Sequence, residues 1–441
     1  MDPERLQRLH REHLAVLQAA AQAALATSGF DAVIIHSGRA PKKSSVDDQF
    51  HPHRTTPFFL YWAPLEVADS AVVVRAGHRP RLVLSTARDY WDGAPAIDRS
   101  VLDPFEVVET RDPAGAREHV LLGKTAFIGD DRERATDWGI DASAVNPAAL
   151  VGALDRRRAT KTAYETACLA EANRLSAVGH AAVRDAFLAG DRSELDLHLA
   201  YLSATALDDP ETPYKNIVAL GAHAATLHHV HYGRRPTGAS SLLLDAGASF
   251  RGYASDVTRT YVKDVADSAG ATAFAQLVAG LDRLQRECCA RVTVGMKYEA
   301  LHDQAHILLA GLLKEVGVMR AGDDELVASG VTRLFMPHGL GHSLGVQVHD
   351  VGCAQEKPRA DNPFLRNTTV IAPDQVFTIE PGCYFIDEKL DELRAGPLAG
   401  RADWKLIDAL RGLGGVRVED DVVVRAAGQG IDNLTRAALP G

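Results

Sequence analysis

Four carboxylates and one imidazole stand in short, distinctive phrases in the second half of the chain. They are Asp245 in LLLDAG, Asp256 in GYASDVTRTY, His342 in MPHGLGHSLG, Glu380 in FTIEPG and Glu419 in GGVRVEDD. This is the inventory for two divalent metals sharing bridging oxygens. Such a pair turns water into a hydroxide nucleophile at neutral pH. The residue types alone therefore point to a metallohydrolase.

Each residue also has a plainer reading. Asp245 ends an apolar run and could be a turn residue. Asp256 follows a Gly/Ala/Ser-rich stretch that suits a hairpin turn, and could be a cap. His338, His342 and His349 lie close together around glycines that let a backbone approach a metal or substrate. Three histidines so close are too many for a satisfied core, yet not all need bind metal; others can serve as acid, base or oxyanion donor. Glu380 sits at a strand end before Pro-Gly, where a buried carboxylate is costly unless paired or metal-bound. Alternation puts Arg417 and Glu419 on one strand face, where a structural salt bridge is the alternative. The five together are not well explained by coincidence.

The elements that must position them can be read from the patterning. SLLLDAGAS (241–249), GYASDVTRTYV (252–262), QVFTIEPG (375–382) and GVRVEDDVVV (415–424) read as β segments. Helices are expected at 194–206, 268–291 and 299–316. A further amphipathic helix is marked by Tyr164, Cys168, Ala172, Leu175 and Val178. Helices on an antiparallel sheet give an α+β domain over 159–441. The first 158 residues form an α/β domain of their own. Strands are expected at 31–38, 70–77, 81–86 and 125–131, and helices at 6–28 and 145–155. The segment 39–62 is polar, then aromatic; a loop of that length is usually functional or interfacial.

Composition bounds the rest. A length of 441 residues favours two domains. With 46% hydrophobic and 24% charged residues the chain is an ordinary globular protein. No apolar run approaches the ~18 residues of a membrane span, and the charged N-terminus does not read as a signal peptide. A formal net charge of −10 argues against a nucleic-acid partner. The five cysteines, without CxxC or other paired spacing, suggest free thiols in a reducing compartment, by default the cytoplasm.

The ordered set Asp, Asp, His, Glu, Glu in these phrases resembles the metallopeptidases of the pita-bread fold. Within them the chain is most similar to bacterial-type prolidases, the Xaa-Pro dipeptidases, and to the related organophosphorus acid anhydrolases. The resemblance covers nearly the whole chain, including the N-terminal α/β domain of the creatinase/prolidase branch. It implies that Asp245 chelates one ion, that Asp256 and Glu419 bridge two, and that His342 and Glu380 bind the other. The ions would be Mn²⁺, with Co²⁺ or Zn²⁺ as alternatives. It implies pocket roles for His338, His349, His228 and Tyr214, and a place for Arg417 beside the glutamates or the substrate. Arg366 matches an arginine that pairs with the C-terminal carboxylate of a dipeptide. Asp48, in VDDQFHPH, matches an acidic segment that can reach a partner subunit's site, so a homodimer is expected.

The implied reaction is attack of a metal-activated bridging hydroxide on the carbonyl before proline. His228 or His349 would help stabilise the oxyanion, and Glu380 would shuttle a proton to the leaving nitrogen. Phosphotriester or fluoridate hydrolysis is a possible side activity. The alternatives are a Xaa-Pro aminopeptidase acting on longer peptides and a metal-free binding module. Arg366 and the long insert 386–414 lean against the aminopeptidase; the complete ligand set leans against the binding module.

Overall fold

The computed structural model describes residues 2–87, 93, 96–263 and 269–440. They fall into two compact units. The first is Met1–Cys168 with Phe250–Tyr253; the second is Leu169–Ser249 with Ala254–Gly441.

The first unit is built on a mixed five-stranded sheet. Its strands are β1 (Ala32–His36), β2 (Ala71–Arg75), β3 (Arg81–Ser85), β4 (Glu106–Thr110) and β5 (Thr125–Ile128), in the order β4-β3-β2-β1-β5. Ile34, Val73, Val83, Phe127 and Trp138 pack on one another as its core. The helix Pro3–Ser28 starts where Asp2 accepts from the Glu4 N–H and stops at Gly29, whose φ of 72° ends the helical path. Strand β4 is not evident in the sequence. It is an edge strand of mostly exposed residues, EVVET, so no hydrophobic alternation marks it. The segment 39–62 is not loop throughout: Pro57–Trp62 is a short helix, with Phe59 and Trp62 buried.

In the second unit every strand ladder is antiparallel. Strands β6 (Ile217–Leu220), β7 (Ser241–Asp245) and β10 (Thr258–Val262) form one sheet, with β7 central; the short strands β8 (Ser249–Phe250) and β9 (Tyr253–Ala254) lie between β7 and β10 in sequence. Strands β11 (Val376–Ile379), β14 (Asp420–Val424) and β15 (Ile431–Asn433) form another, and β12 (Gly382–Tyr384) pairs with β13 (Gly415–Arg417). Helices Ala269–Ala290 and Tyr298–Glu315 bury Phe274, Leu277, Leu281, Leu309 and Leu313 in one core with Phe377, Ile379 and Val422. Residue 268, where the first of these helices is expected to begin, lies outside the described residues.

Two expected strands are broken. The run 252–262 is interrupted at 255–257, and the run 415–424 at Val418–Glu419. At the first break the Asp256 N–H donates to the Asp421 carboxylate instead of to a ladder partner. At the second, the strand leaves its pairing with β12, makes an isolated bridge from Glu419 to Thr258, and then pairs with β11.

The helix Ala163–Ala189 also differs from its apolar periodicity. Val178, expected on the inward face, is 46% exposed. In the second unit the buried stripe runs through Ala172, Asn173, Ser176, His180, Val183 and Phe187. Three of these are polar, which hides the stripe from a hydrophobic reading. Each is buried because it has a partner: Asn173 donates to Asp421, and Ser176 and His180 reach the carbonyl of Ala246. Among the described residues no helix is long and apolar enough to cross a membrane.

Candidate metal centre

Strand ends and strand breaks position the four carboxylates, and the HGLGH segment brings His342. Asp245 closes β7 and lies opposite Thr258 on β10. Two residues before Thr258, at the first break, stands Asp256; Glu419 occupies the second break, with its N–H on the Thr258 carbonyl. The HGLGH segment lies along β11. The Thr378 N–H donates to the His342 carbonyl at 2.9 Å, the His342 N–H to Thr378 Oγ1 at 3.1 Å, and the Glu380 N–H to the Leu340 carbonyl at 2.8 Å. Gly341 permits this approach. A Cβ there would lie 2.1 Å from the Thr378 carbonyl oxygen and 2.4 Å from the Tyr298 hydroxyl.

The carboxylates converge. His342 Nε2 is 3.3 Å from Asp256 Oδ2 and 3.6 Å from Glu380 Oε1. Asp256, His342 and Glu419 each offer a ligand atom, all within 4.8 Å of one another. The Tyr214 hydroxyl lies 2.7 Å from Asp245 Oδ1 and 2.6 Å from Asp256 Oδ1, tying the two aspartates together. Thr258 donates to Glu419 Oε2 at 2.6 Å. Arg417 donates to Asp245 Oδ2 at 2.6 Å, to the Tyr384 hydroxyl at 2.9 Å and to Thr258 Oγ1 at 3.2 Å.

These groups floor a cavity of about 510 Å³, which His228, His338, His349, Arg366 and Arg417 also line. His338 Nε2 is 3.0 Å from the Tyr384 hydroxyl, and the His349 ring stands edge-on to His342 at 4.4 Å. Tyr214 sits beneath the aspartates and is not among the cavity residues. Asp48 is exposed on a loop of the N-terminal unit and is likewise outside the cavity lining.

The electrostatics are those of crowded acids. Burial pushes Glu380 up to about 7, with the charges of Asp256 and Asp245 adding to it against His342 and Arg417. Burial raises Asp245 too, against the pull of Arg417. Glu419 is raised well above the carboxylate range by burial and by Asp256, Glu380 and Asp245. Burial disfavours a charged His342, but its hydrogen bond to Asp256 and the Glu380 charge win and lift it to about 9. His338 is held neutral at about 3, mainly by burial, and His349 at about 4 by desolvation and the nearby His342. Asp245, Glu380 and Glu419, crowded into one buried site, thus hold protons more tightly than ordinary carboxylates. Divalent cations would take the place of those protons, so the donor set fits a carboxylate-rich metal site.

Several supporting residues were not singled out from the sequence. Thr258 lies in DVTRT, two residues after Asp256. Asp421 follows Glu419 by two in VEDD, and β alternation could have flagged it. Tyr384, which meets both His338 and Arg417, carries no local signal.

Residues 167–426 match the model of Metallopeptidase family M24, and residues 8–155 match that of the Xaa-Pro dipeptidase, N-terminal domain. The Xaa-Pro dipeptidase of Marinobacter nauticus is 41% identical to this chain, covering 97% of each. That of Pectobacterium atrosepticum is 38% identical, covering 98% of this chain and 99% of the relative. Among solved structures, a zinc-substituted Escherichia coli aminopeptidase P in complex with product aligns with a TM-score of 0.72 at 22% identity, covering 97% of this chain and 95% of that one. Proline aminopeptidase P II from Yersinia pestis aligns at 0.71 and 23% identity, covering 96% of each. The structural likeness establishes the fold, the pita-bread architecture behind an N-terminal α/β domain. The family implies divalent metal ions, and Asp256, His342 and Glu419 form a group that could hold one. By the match over its catalytic unit and the identity over its full length, the chain belongs to metallopeptidase family M24.

Proposed function

We propose that this chain is a Xaa-Pro dipeptidase that hydrolyses dipeptides ending in proline, using two divalent ions held by Asp245, Asp256, His342, Glu380 and Glu419. The observation that carries the substrate reading is Arg366. It lines the cavity that the acid cluster floors, and has no hydrogen-bond or ion-pair partner among the described residues. A free guanidinium there suits a substrate carboxylate, and bidentate pairing would select a peptide whose C-terminus follows directly on proline. The full-length relatives named Xaa-Pro dipeptidase support the same reading.

When bound, the ions supply Lewis acidity and a water acidified enough to act as nucleophile near neutral pH. Carboxylate-rich donors favour Mn²⁺, with Co²⁺ or Zn²⁺ as alternatives. Tyr214, Thr258 and Arg417 orient the acids that hold them. Arg417, engaged with Asp245, Thr258 and Tyr384, braces the cluster first and meets substrate second. His228 and His349 stand on the cavity wall as hydrogen-bond donors to the oxyanion that forms at the carbonyl carbon. His338 lines the wall beside Glu380, 3.8 Å away. Glu380 carries the proton from water to the leaving nitrogen; that transfer matters because a Xaa-Pro amide leaves as a secondary amine. Residues of the insert after β12, Ile386, Glu388 and Lys389, also line the pocket.

Two finer features complete the proposal. Asp48, on its exposed loop, reaches a partner's cavity in a homodimer; a monomer in sedimentation that keeps full activity would refute this. Five free, buried cysteines support a reducing compartment, the cytoplasm. The deciding experiment compares Ala-Pro with Ala-Pro-Ala, using chelated protein with and without added Mn²⁺. Metal-dependent cleavage confined to the dipeptide is expected. Comparable cleavage of the tripeptide would move the assignment to an aminopeptidase.

A further inference from the structure

Glu194 opens the helix Glu194–Thr205 and is 2% exposed. Its Oε1 accepts from the Leu220 N–H at 3.0 Å and lies 2.6 Å from His223 Nδ1. Its Oε2 accepts from the Gly233 N–H at 2.7 Å and lies 2.9 Å from His229 Nε2. The two imidazoles stack at 4.4 Å, both aimed at this one carboxylate. The three ligand atoms lie within 4.8 Å of one another, and His223 is half open to solvent, which leaves room for water. Burial raises the Glu194 carboxyl, but the N–H groups of Gly233 and Leu220 and the two imidazoles outweigh it and keep the group ionised.

What sets this cluster apart is its charge. A comparable group in the N-terminal unit, His36 with Asp69 and Asp131, is already neutralised: Arg39 pairs with Asp131 and Arg134 with Asp69. Among the described residues no Lys or Arg pairs with Glu194; its only side-chain partners are the two imidazoles. A buried anion, oriented by two backbone N–H groups and faced by two imidazoles, has the first ligands and the outer hydrogen bonds of a His₂-carboxylate metal site.

We propose that Glu194, His223 and His229 bind a transition-metal ion of the zinc type, outside the carboxylate-rich cavity. The ring nitrogen of each imidazole that faces Glu194 gives up its proton, to the other ring nitrogen or to water, and the freed lone pair binds the ion. Glu194 supplies the third donor and water the fourth. Two nitrogens and one carboxylate suit Zn²⁺, whereas the cavity's four carboxylates suit harder ions. The segment between the two histidines carries Leu227 and His228 into the cavity wall, so an ion here ties down both ends of it.

The test is metal content of the full chain, stripped with chelator, reloaded with Zn²⁺ and dialysed. The double variant His223→Gln/His229→Gln keeps a hydrogen-bond donor toward Glu194 but removes both nitrogen ligands. It should hold about one zinc fewer per chain than the wild type. The variant Asp256→Asn/Glu419→Gln should retain that zinc while losing cavity metal. Equal zinc in wild type and the histidine variant overturns the site. Should the histidine variant misfold by circular dichroism, anomalous diffraction at the zinc edge on wild-type crystals decides. A peak between Glu194, His223 and His229 supports the site, and no peak there overturns it.

Discussion

Tyr214 and Arg366 show how differently two side chains can serve one cavity. Tyr214 spends its hydroxyl on Asp245 and Asp256, so its contribution is to hold two acids at a fixed separation. Tyr214→Phe keeps the ring and removes that tie. Metal affinity should then fall by about 10- to 100-fold, as for other residues behind a metal ligand; titrating the apoprotein with Mn²⁺ measures this, and an unchanged midpoint would show that the hydroxyl does not orient the acids. Arg366 instead has no hydrogen-bond or ion-pair partner among the described residues. Arg366→Ala should cost about 1.5–3 kcal/mol, or roughly 10- to 150-fold in kcat/KM, on a dipeptide. A C-terminally amidated substrate should change little. Equal losses on both substrates would remove the carboxylate clamp from the proposal.

At the scale of elements, the strand breaks matter more than the strands. Asp256 and Glu419 stand where a strand gives up one pairing before taking another: the Asp256 N–H donates to Asp421, the Glu419 N–H donates to the Thr258 carbonyl, and the Glu419 carbonyl accepts from Arg259. The HGLGH segment is equally dependent on close packing along β11. Gly341→Ala would put a methyl into the Thr378 carbonyl, an overlap that backbone must absorb. A loss of about 1–3 kcal/mol in stability is expected, with His342 displaced and metal content lowered. Thermal denaturation together with bound-metal analysis checks it; wild-type values in both would show that the segment can move without consequence.

For the whole molecule, stability and metal binding should be coupled through pH. Glu380 is raised from 4.5 to about 7 and His342 from 6.5 to about 9 in the metal-free fold. Each binds its proton more tightly folded than unfolded. Their contribution to metal-free stability is therefore present at low pH and lost as pH rises, between 4.5 and about 7 for Glu380 and between 6.5 and about 9 for His342. Metal binding needs the deprotonated forms, so it has the opposite slope. The rise in Tm on adding Mn²⁺ should grow between about pH 5.5 and pH 8.5. It corresponds to about 2.7 kcal/mol once free ion exceeds Kd a hundredfold. An increment that shrinks with pH would contradict the acid cluster as the binding site.

The donor inventory was legible in the sequence because each donor sits in a short phrase with its own strand end or glycine pair. Those phrases carried the family resemblance; length and patterning carried the two-domain plan, the long helices and many of the strands, while the short helices went unmarked. The order of pairing was not legible. Asp421 meets the Asp256 N–H across 165 positions of chain, and Arg417 meets Asp245 across 172. No local period records such contacts. The polar stripe of Asn173, Ser176 and His180 reads as solvent-facing until the tertiary structure brings Asp421 and the Ala246 carbonyl to it. Tyr214 reads as a pocket residue until the fold places it beneath the acids. The sequence by itself determined which atoms could do the chemistry. Only the tertiary structure decided which of them face the cavity and which brace it, because a buried polar group must find its partner wherever the fold supplies one.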